Sequence, residues 1–225
     1  MNGLLSIIIP ALNEEDIITG TLERLKVLRE AGHEVIVVDG GSFDKTYSLA
    51  AQYADSVLLA EEGRGWQMNA GAEYANNDIL LFLHSDTRLP DNADQLINQA
   101  LQQDGKAWGR FDVRLSGKAR LLRVVERMIN WRSSFTGIAT GDQAIFVKAS
   151  IFKQIDGFAD IPLMEDLDFS RRLKRITRPI CIKTPVITSS RRWEQNGIIR
   201  TILLMWSLRL AYSLGVSPKT LKKYY

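Results

Sequence analysis

Four apolar runs of strand length, each followed by a polar turn and a helical segment, constrain this chain more than any other feature. They are Leu4–Ile9, Glu34–Val38, Ser56–Leu59 and Ile79–Leu83. The first, second and fourth are expected to be buried, as in the centre of a parallel sheet, and Ser56–Leu59 reads as a third strand. Between the first two, Asn13-Glu14-Glu15-Asp16 reads as a helix start with acids in its first turn. The helix then continues to about Ala31 on a stripe of Ile17, Ile18, Leu22, Leu25 and Leu28. Gly40-Gly41-Ser42 makes a turn before a helix over Asp44–Tyr53, and Gly63-Arg64-Gly65 leads into one over Trp66–Ala75. The resulting β-α-β-α-β-α-β order implies a parallel sheet with right-handed crossovers.

The second half is less regular. A helix is expected from Pro90 to about Gln103, an alternating strand over Trp108–Leu115 and an amphipathic helix over Lys118–Trp131. A polar loop, Ser133–Asp142, precedes a short strand (Ala144–Val147), a short helix (Ala149–Ile155) and a helix over Met164–Ile176. Ile180–Thr188 carries Pro185 and is expected at a sheet edge. A long apolar helix, Ile198–Leu214, and a basic tail close the chain.

Composition narrows the function classes. A hydrophobic content of 45% and a charged content of 24% are those of an ordinary folded protein. The net charge of +3 is mild, with most Arg and Lys in the second half, which suits an anionic ligand or a membrane surface. It offers no cluster that would line a DNA groove, so no nucleic-acid partner is expected. Cys181 is the single cysteine and His33 and His84 the only histidines, which excludes an intrachain disulfide and disfavours a structural zinc site. Both facts fit a cytoplasmic protein. No stretch reaches the ~20 apolar residues of a membrane span, and Leu4–Ile9 is too short for a signal-peptide core.

The chemistry gathers at four strand ends: Pro10–Glu14, Asp39–Asp44, Arg64–Gly71 and His84-Ser85-Asp86. In a parallel sheet these meet on one rim, where ligands of open α/β sheets bind. A carboxylate such as Asp86 on that rim is placed to hold a divalent cation on a diphosphate. Its bland reading is a cap for the helix begun at Pro90. An acid ending the second strand, Asp39, can bond a ribose hydroxyl or a base N–H. The chain has no Gly-x-Gly-x-x-Gly after its first strand, which disfavours a dinucleotide fold. Glu165-Asp166 reads equally as helix-start acids or as an acid–base pair.

These motifs in this order resemble the family 2 glycosyltransferases of GT-A fold. The resemblance rests on Ser6–Glu15, Val37–Ser42, Arg64–Gly71, Asp86 and Glu165-Asp166, and it covers about Leu4 to Arg175. The segments Phe82–Pro90 and Arg191–Gly197 are similar to a small bacterial subgroup labelled arsenosugar-biosynthesis glycosyltransferases. The resemblance implies an α/β, Rossmann-like, mostly parallel central sheet flanked by helices, with a C-terminal helical extension. The domain expected over residues 1–190 has a nucleotide-binding half, 1–90, and an acceptor half, 91–190. Residues 191–225 form the extension.

The resemblance also implies roles. Pro10, Glu14, Asp39, Arg64 and Asn69 would bind the nucleotide of a nucleotide-sugar, UDP-linked by preference. Asp86 matches the last acid of the family's Asp-x-Asp motif and would hold Mn²⁺ or Mg²⁺. His84 stands where the first acid would be and is a second candidate ligand. Asp166 would be the general base beside Glu165. Arg192 and Trp193 fall in the place of a Gln-x-x-Arg-Trp motif whose Gln is here Ser189, and with Asp142 they are candidates for acceptor or diphosphate contact. The helix Ile198–Leu214 suits packing on the domain, an interfacial contact with anionic lipid at the inner face of a membrane, or a homodimer. Two rivals stand beside the transferase. One is a nucleotidyltransferase, which the acidic Ala11–Glu15 loop disfavours. The other is a non-catalytic scaffold on a decayed domain, which His84 favours and the intact Asp86 and Asp166 oppose.

Overall fold

Successive strand residues point to opposite faces, and in β1 (Leu5–Ala11) both faces are covered. Ile7 and Ile9 meet one hydrophobic layer and Ile8 the other. The same split holds for β2 (Glu34–Asp39), where Val35 and Val37 oppose Ile36 and Val38, and for β4 (Ile79–Phe82), where Ile79 and Leu81 oppose Leu80 and Phe82. This two-sided burial is why the runs show no polar alternation. The computed structural model describes residues 3–225.

The first half alternates as expected: α1 (Glu15–Glu30) follows β1, α2 (Thr46–Ala50) follows β2, and β3 (Ser56–Leu59) and α3 (Arg64–Tyr74) precede β4. After these come β5 (Thr87–Arg88), α4 (Ala93–Leu101), β6 (Trp108–Leu115), α5 (Arg120–Thr136), β7 (Ile145–Lys148), α6 (Ala149–Gln154), α7 (Glu165–Ile176) and β8 (Ile180–Thr188). Three helices end the chain: α8 (Arg191–Asn196), α9 (Ile198–Ser213) and α10 (Pro218–Lys222). One sheet runs in the order β3-β2-β1-β4-β7-β6-β8-β5. The β3-β2-β1-β4 part is parallel, and β7 enters antiparallel between β4 and β6. Because β2 and β4 flank β1 on opposite sides, the chain switches direction there. That opens a crevice over the carboxyl ends of the two central strands.

Four local readings change in the structure. Asn92, with no side-chain capping bond, holds the N-cap position of α4, so Asp86 is not its cap; it precedes the short strand β5 instead. The helix α5 runs on to Thr136 and stops where Gly137, at φ 69°, takes the left-handed conformation. Pro185 lies beside a register shift in the β6–β8 ladder, and β8 meets β5 only at Ile187 and Thr188. The proline is thus tolerated at a bulge with no strand on its other side. Finally, the basic tail folds as α10, with Leu221 buried against Met164, Leu167 and Leu208. No helix among the described residues is long and apolar enough to cross a membrane.

Close packing of α3 on the sheet offers a test. A Cβ at Gly71 would lie 2.5 Å from Ile8 Cγ2 and 3.0 Å from Val38 Cγ2. Alanine in a helix interior gains about 1 kcal/mol over glycine, but overpacking a rigid core costs about 1–3 kcal/mol. Ile8 is fully buried in a central strand and cannot yield cheaply. Gly71→Ala is therefore expected to lower the urea midpoint of unfolding, despite its better helix propensity.

Candidate active site

The turn after β4 is fixed from three sides. Thr87 N–H donates to His84 O at 3.0 Å, Thr21 Oγ1 donates to Ser85 O at 2.5 Å, and Asp86 Oδ1 lies 3.2 Å from Thr87 Oγ1 and 3.3 Å from Thr188 Oγ1. These contacts leave His84 and Asp86 on a wall shared by two cavities, together with Arg64 and Tyr225.

The first cavity, of about 380 Å³, lies over the ends of β1 and β4 and the start of α3. Such a volume is that of a small-molecule site. Pro10, Glu14, Gln67 and Glu165 also line it, as do Glu62 and Lys222. Gln67 Nε2 donates to Ala11 O and Val38 O, both at 2.8 Å, and so locks α3 to the strand ends. Glu14 lies 3.7 Å from Arg191; burial raises its pKa against the pull of that guanidinium.

The second cavity, of about 200 Å³, opens between α5 and α9. Asp142, Asp166, Arg192 and Trp193 all line it. Arg192 stacks 3.7 Å from the ring centroid of Tyr225, a cation–π contact that pins the tail across the shared wall.

Glu165 and Asp166 open α7; Glu165 lines the first cavity and Asp166 the second, and both border a small cavity between them with Arg64 and His84. The residue before them, Met164, holds a left-handed φ of 70°, which is costly for a non-glycine residue. Phe158 and Phe169 stack at 4.0 Å, and Phe82 meets Phe158 edge-on at 4.9 Å, so α7 starts from a rigid aromatic base. Asp166 Oδ2 accepts the Gly141 N–H at 2.9 Å and Oδ1 that of Leu167 at 2.7 Å. Glycine at 141 lets this turn pack against His84, since a Cβ there would collide with Nε2 of its ring.

Burial, and next the charge of Asp166, push Glu165 up to about 7, and burial also raises Asp166. The two carboxyls thus both hold their protons to higher pH than free carboxyls do, and they titrate together. A base must be ionised to work, so activity depending on this pair is present above its apparent pKa and lost as pH falls through it. If the pair serves as the base, the rate should climb with pH only above the ordinary carboxylate range, as the raised pKa values of both groups require. Glu165→Gln removes one of the two charges and should move the climb to lower pH, which a pH profile of kcat/KM will show. Burial, and then Arg64, hold His84 down at about 3, so its imidazole is neutral at ordinary pH. Burial works against the Arg64 charge, but Tyr225, Glu165 and Asp166 outweigh it and raise its pKa.

Two candidates lie outside both linings. Asp39 is fully buried; its Oδ1 accepts from Gly41 N–H at 2.8 Å and Ser42 N–H at 2.6 Å, while its Oδ2 has no partner. A buried carboxylate oxygen left open is suited to an incoming O–H or N–H. Asn69 donates to Phe158 O at 2.9 Å and accepts from its N–H at 2.8 Å, so its amide clamps the 156–158 turn. Gln67, Tyr225 and Arg209 line the cavities without having been expected there. The one sequence signal for Arg209 is its interruption of an apolar helix. For Tyr225 there is none.

Among the described residues no group of three or more His, Cys, Asp or Glu side chains is placed to hold a metal ion unaided. Asp86 with neutral His84 nevertheless suits a cation that arrives on a diphosphate. Mg²⁺-type ions commonly take one or two protein ligands and complete their shell with substrate phosphates and water.

A model for glycosyl transferase family 2 matches residues 6–155. The probable glycosyltransferase YdaM of Bacillus subtilis is 26% identical over 241 residues, covering 96% of this chain and 56% of its own length. Among solved structures, S. aureus TarS 1–349 in complex with UDP-GlcNAc superposes with a TM-score of 0.66 at 19% identity, over 83% of this chain and 58% of that one. A mannosyltransferase from Pyrobaculum calidifontis, PcManGT, in complex with GDP-Man and Mn²⁺, does so with a TM-score of 0.61 at 20% identity, over 84% and 57%. This chain thus spans little more than half the length of these relatives, and the structural likeness gives it the GT-A fold. Taken with a family model that spans two-thirds of the residues, the order of rim motifs places the chain in glycosyl transferase family 2.

Proposed function

We propose that this chain moves a sugar from a nucleotide-sugar, UDP-linked by preference, to an acceptor hydroxyl with inversion. The observation that carries the reading is the division of α7. Glu165 faces the cavity at the β1–β4 crevice and Asp166 the cavity between α5 and α9, with Arg64, His84 and Asp86 between them. Residues 1–90 then supply the donor side and 91–190 the acceptor side. The C-terminal helices α8 and α9 wall the acceptor cavity, and Lys222 of α10 reaches the donor cavity. The Arg191–Gly197 segment, which carries the resemblance to the arsenosugar-labelled subgroup, falls on that wall. The complexes of TarS with UDP-GlcNAc and of PcManGT with GDP-Man and Mn²⁺ favour a nucleotide-sugar donor and a divalent cation.

The chain's own groups divide the work. Pro10 and Glu14 border the nucleoside, and the open Oδ2 of Asp39 is available to a base or ribose proton. Asp86 and His84 would hold Mn²⁺ or Mg²⁺ against the diphosphate, where the ion, when bound, neutralises charge on the leaving group. Arg64 adds a fixed positive charge on the same wall. Asp166 takes the acceptor proton while the acceptor oxygen bonds to C1 of the sugar. The C1–O bond to the diphosphate breaks, and the nucleoside diphosphate leaves. One carboxylate suffices, since inversion needs no covalent intermediate.

Turnover separates this reading from its rivals. The chain should release a nucleoside diphosphate from one of UDP-glucose, UDP-N-acetylglucosamine or GDP-mannose, with Mn²⁺ and an acceptor mixture. Release of pyrophosphate from nucleoside triphosphates instead would mark a nucleotidyltransferase.

A further inference from the structure

Four charged side chains gather around the α5–α9 cavity, three on its lining and Arg132 within reach of their charge, and among the described residues none is ion-paired. Asp142 and Asp166 come from the Gly141 turn and from α7, Arg132 from α5 and Arg209 from α9. Among the described residues, neither arginine lies within 4.0 Å of an acidic oxygen. Arg132 Nε and Nη2, Arg209 Nε and Asp142 Oδ1 are all buried with no hydrogen-bond partner. The unpartnered nitrogens of Arg132 are the two that form the side-on edge of a guanidinium, the edge that grips carboxylates and phosphates in a fork. Burial, and next the charge of Arg209, depress the Arg132 pKa to about 10. Burying unpaired guanidiniums side by side destabilises a folded chain unless another charge compensates them. Asp142 and Asp166 offset part of that charge, but neither comes within 4.0 Å of a nitrogen of either guanidinium. Arg209 lines the cavity with Asp142 and Asp166, and Arg132, which is not on the lining, lies within electrostatic reach of all three.

We propose that Arg132 and Arg209 form an anion subsite for the acceptor, which is a phosphorylated or carboxylated hydroxy compound. Its anionic group lies against the two guanidiniums and its hydroxyl is thereby presented to Asp166. This rests on the transferase reading for the role of Asp166, and it adds the acceptor's chemical class. The same anion could belong to a soluble phosphate ester or to a lipid headgroup. The remaining wall is apolar, with Val125, Met128 and Ile129 from α5 and Ile202, Met205 and Trp206 from α9. It continues outward into the exposed Leu203 and Leu210. An alkyl chain attached to the anion would find cover there.

The test is calorimetric titration of the full chain with glycerol 3-phosphate, inorganic phosphate, glycerol and an acylated glycerol 3-phosphate below its micelle concentration. The proteins are wild type, Arg209→Gln and Arg132→Gln. Nucleotide binding with Mn²⁺ is measured on the same samples, so that loss of the transferase reading is seen separately. Wild type should bind both glycerol phosphates and not glycerol. Each variant should weaken that binding at least tenfold while leaving nucleotide affinity unchanged. The variants should also melt no lower than wild type without ligand, because each removes a buried unpaired charge. Tighter binding of the acylated probe assigns the anion to a lipid, and equal binding assigns it to a soluble ester. Either result supports the subsite. Absence of phosphate binding in wild type overturns it, as does binding that neither variant changes. A sharp fall in melting temperature in both variants would also overturn it, by making the arginines structural.

Discussion

Asp166→Asn is expected to lower kcat by about 10²–10⁴-fold, the range for removing a positioned general base, while donor affinity holds. The change is nearly isosteric. A carboxamide oxygen can still accept the 2.9 Å bond from Gly141 N–H, at the cost of the Leu167 N–H bond to the other oxygen, so the loop of the α5–α9 cavity should stay in place. What goes is the capacity to take a proton. Because Asp166 faces the acceptor cavity and not the crevice, nucleotide titrations should be unaffected. A parallel loss of donor affinity would move Asp166 to the donor side and leave the acceptor proton without an assigned base. Glu165→Gln should cost less at the pH optimum, since its carboxyl faces the other cavity.

The second large effect is expected at Asp86. In Asp86→Ala the donor should lose the part of its affinity that depends on Mn²⁺, by at least tenfold, and keep the metal-free part. Asp86 is the one carboxylate that borders both cavities on the shared wall. His84→Ala should have the smaller effect of the two. Its ring packs against Gly141, so the substitution also loosens the turn that donates to Asp166. A titration with and without Mn²⁺ checks both variants. Equal loss with and without the cation would make Asp86 a direct nucleotide contact.

The apolar runs reveal half of this fold because double-sided burial leaves an unambiguous mark on a strand. The rim motifs follow from them, since carboxyl ends of parallel strands share an edge. The second half hides its order for the opposite reason. Insertion of the antiparallel β7 between β4 and β6 is decided by packing among remote segments, and no local pattern encodes it. Alternation in β6 suggests a face of Trp108, Arg110, Asp112 and Arg114, yet Arg110 is completely buried. It pairs with Asp112 and donates to Asn130 O and Ser134 Oγ, partners supplied by α5 from further along the chain.

Legibility of the site divides in the same way. Glu14, Arg64, Asp86 and the Glu165-Asp166 pair lie at element ends, where position along the chain and position on the rim coincide. Asn69 shares a segment with Arg64 but points into the 156–158 turn, a rotation about the helix axis that a motif does not specify. Tyr225 reaches the wall only because Leu221 anchors α10 under α9. A broad apolar helix with a basic tail gives no sign of that return.

The most direct test of the account is the thermal stability of wild type against UDP-, GDP- and dTDP-linked species, with and without Mn²⁺. A ligand at about 100 times its Kd adds about 2.7 kcal/mol to the native state. For a chain of 225 residues that is a rise of roughly 5–10 °C. A Mn²⁺-dependent rise of this order for one nucleotide class, with UDP the expected one, would place donor and cation together as the shared wall of Arg64, His84 and Asp86 requires. No rise for any nucleotide, at saturating ligand and metal, would contradict the account and leave a GT-A fold without a donor.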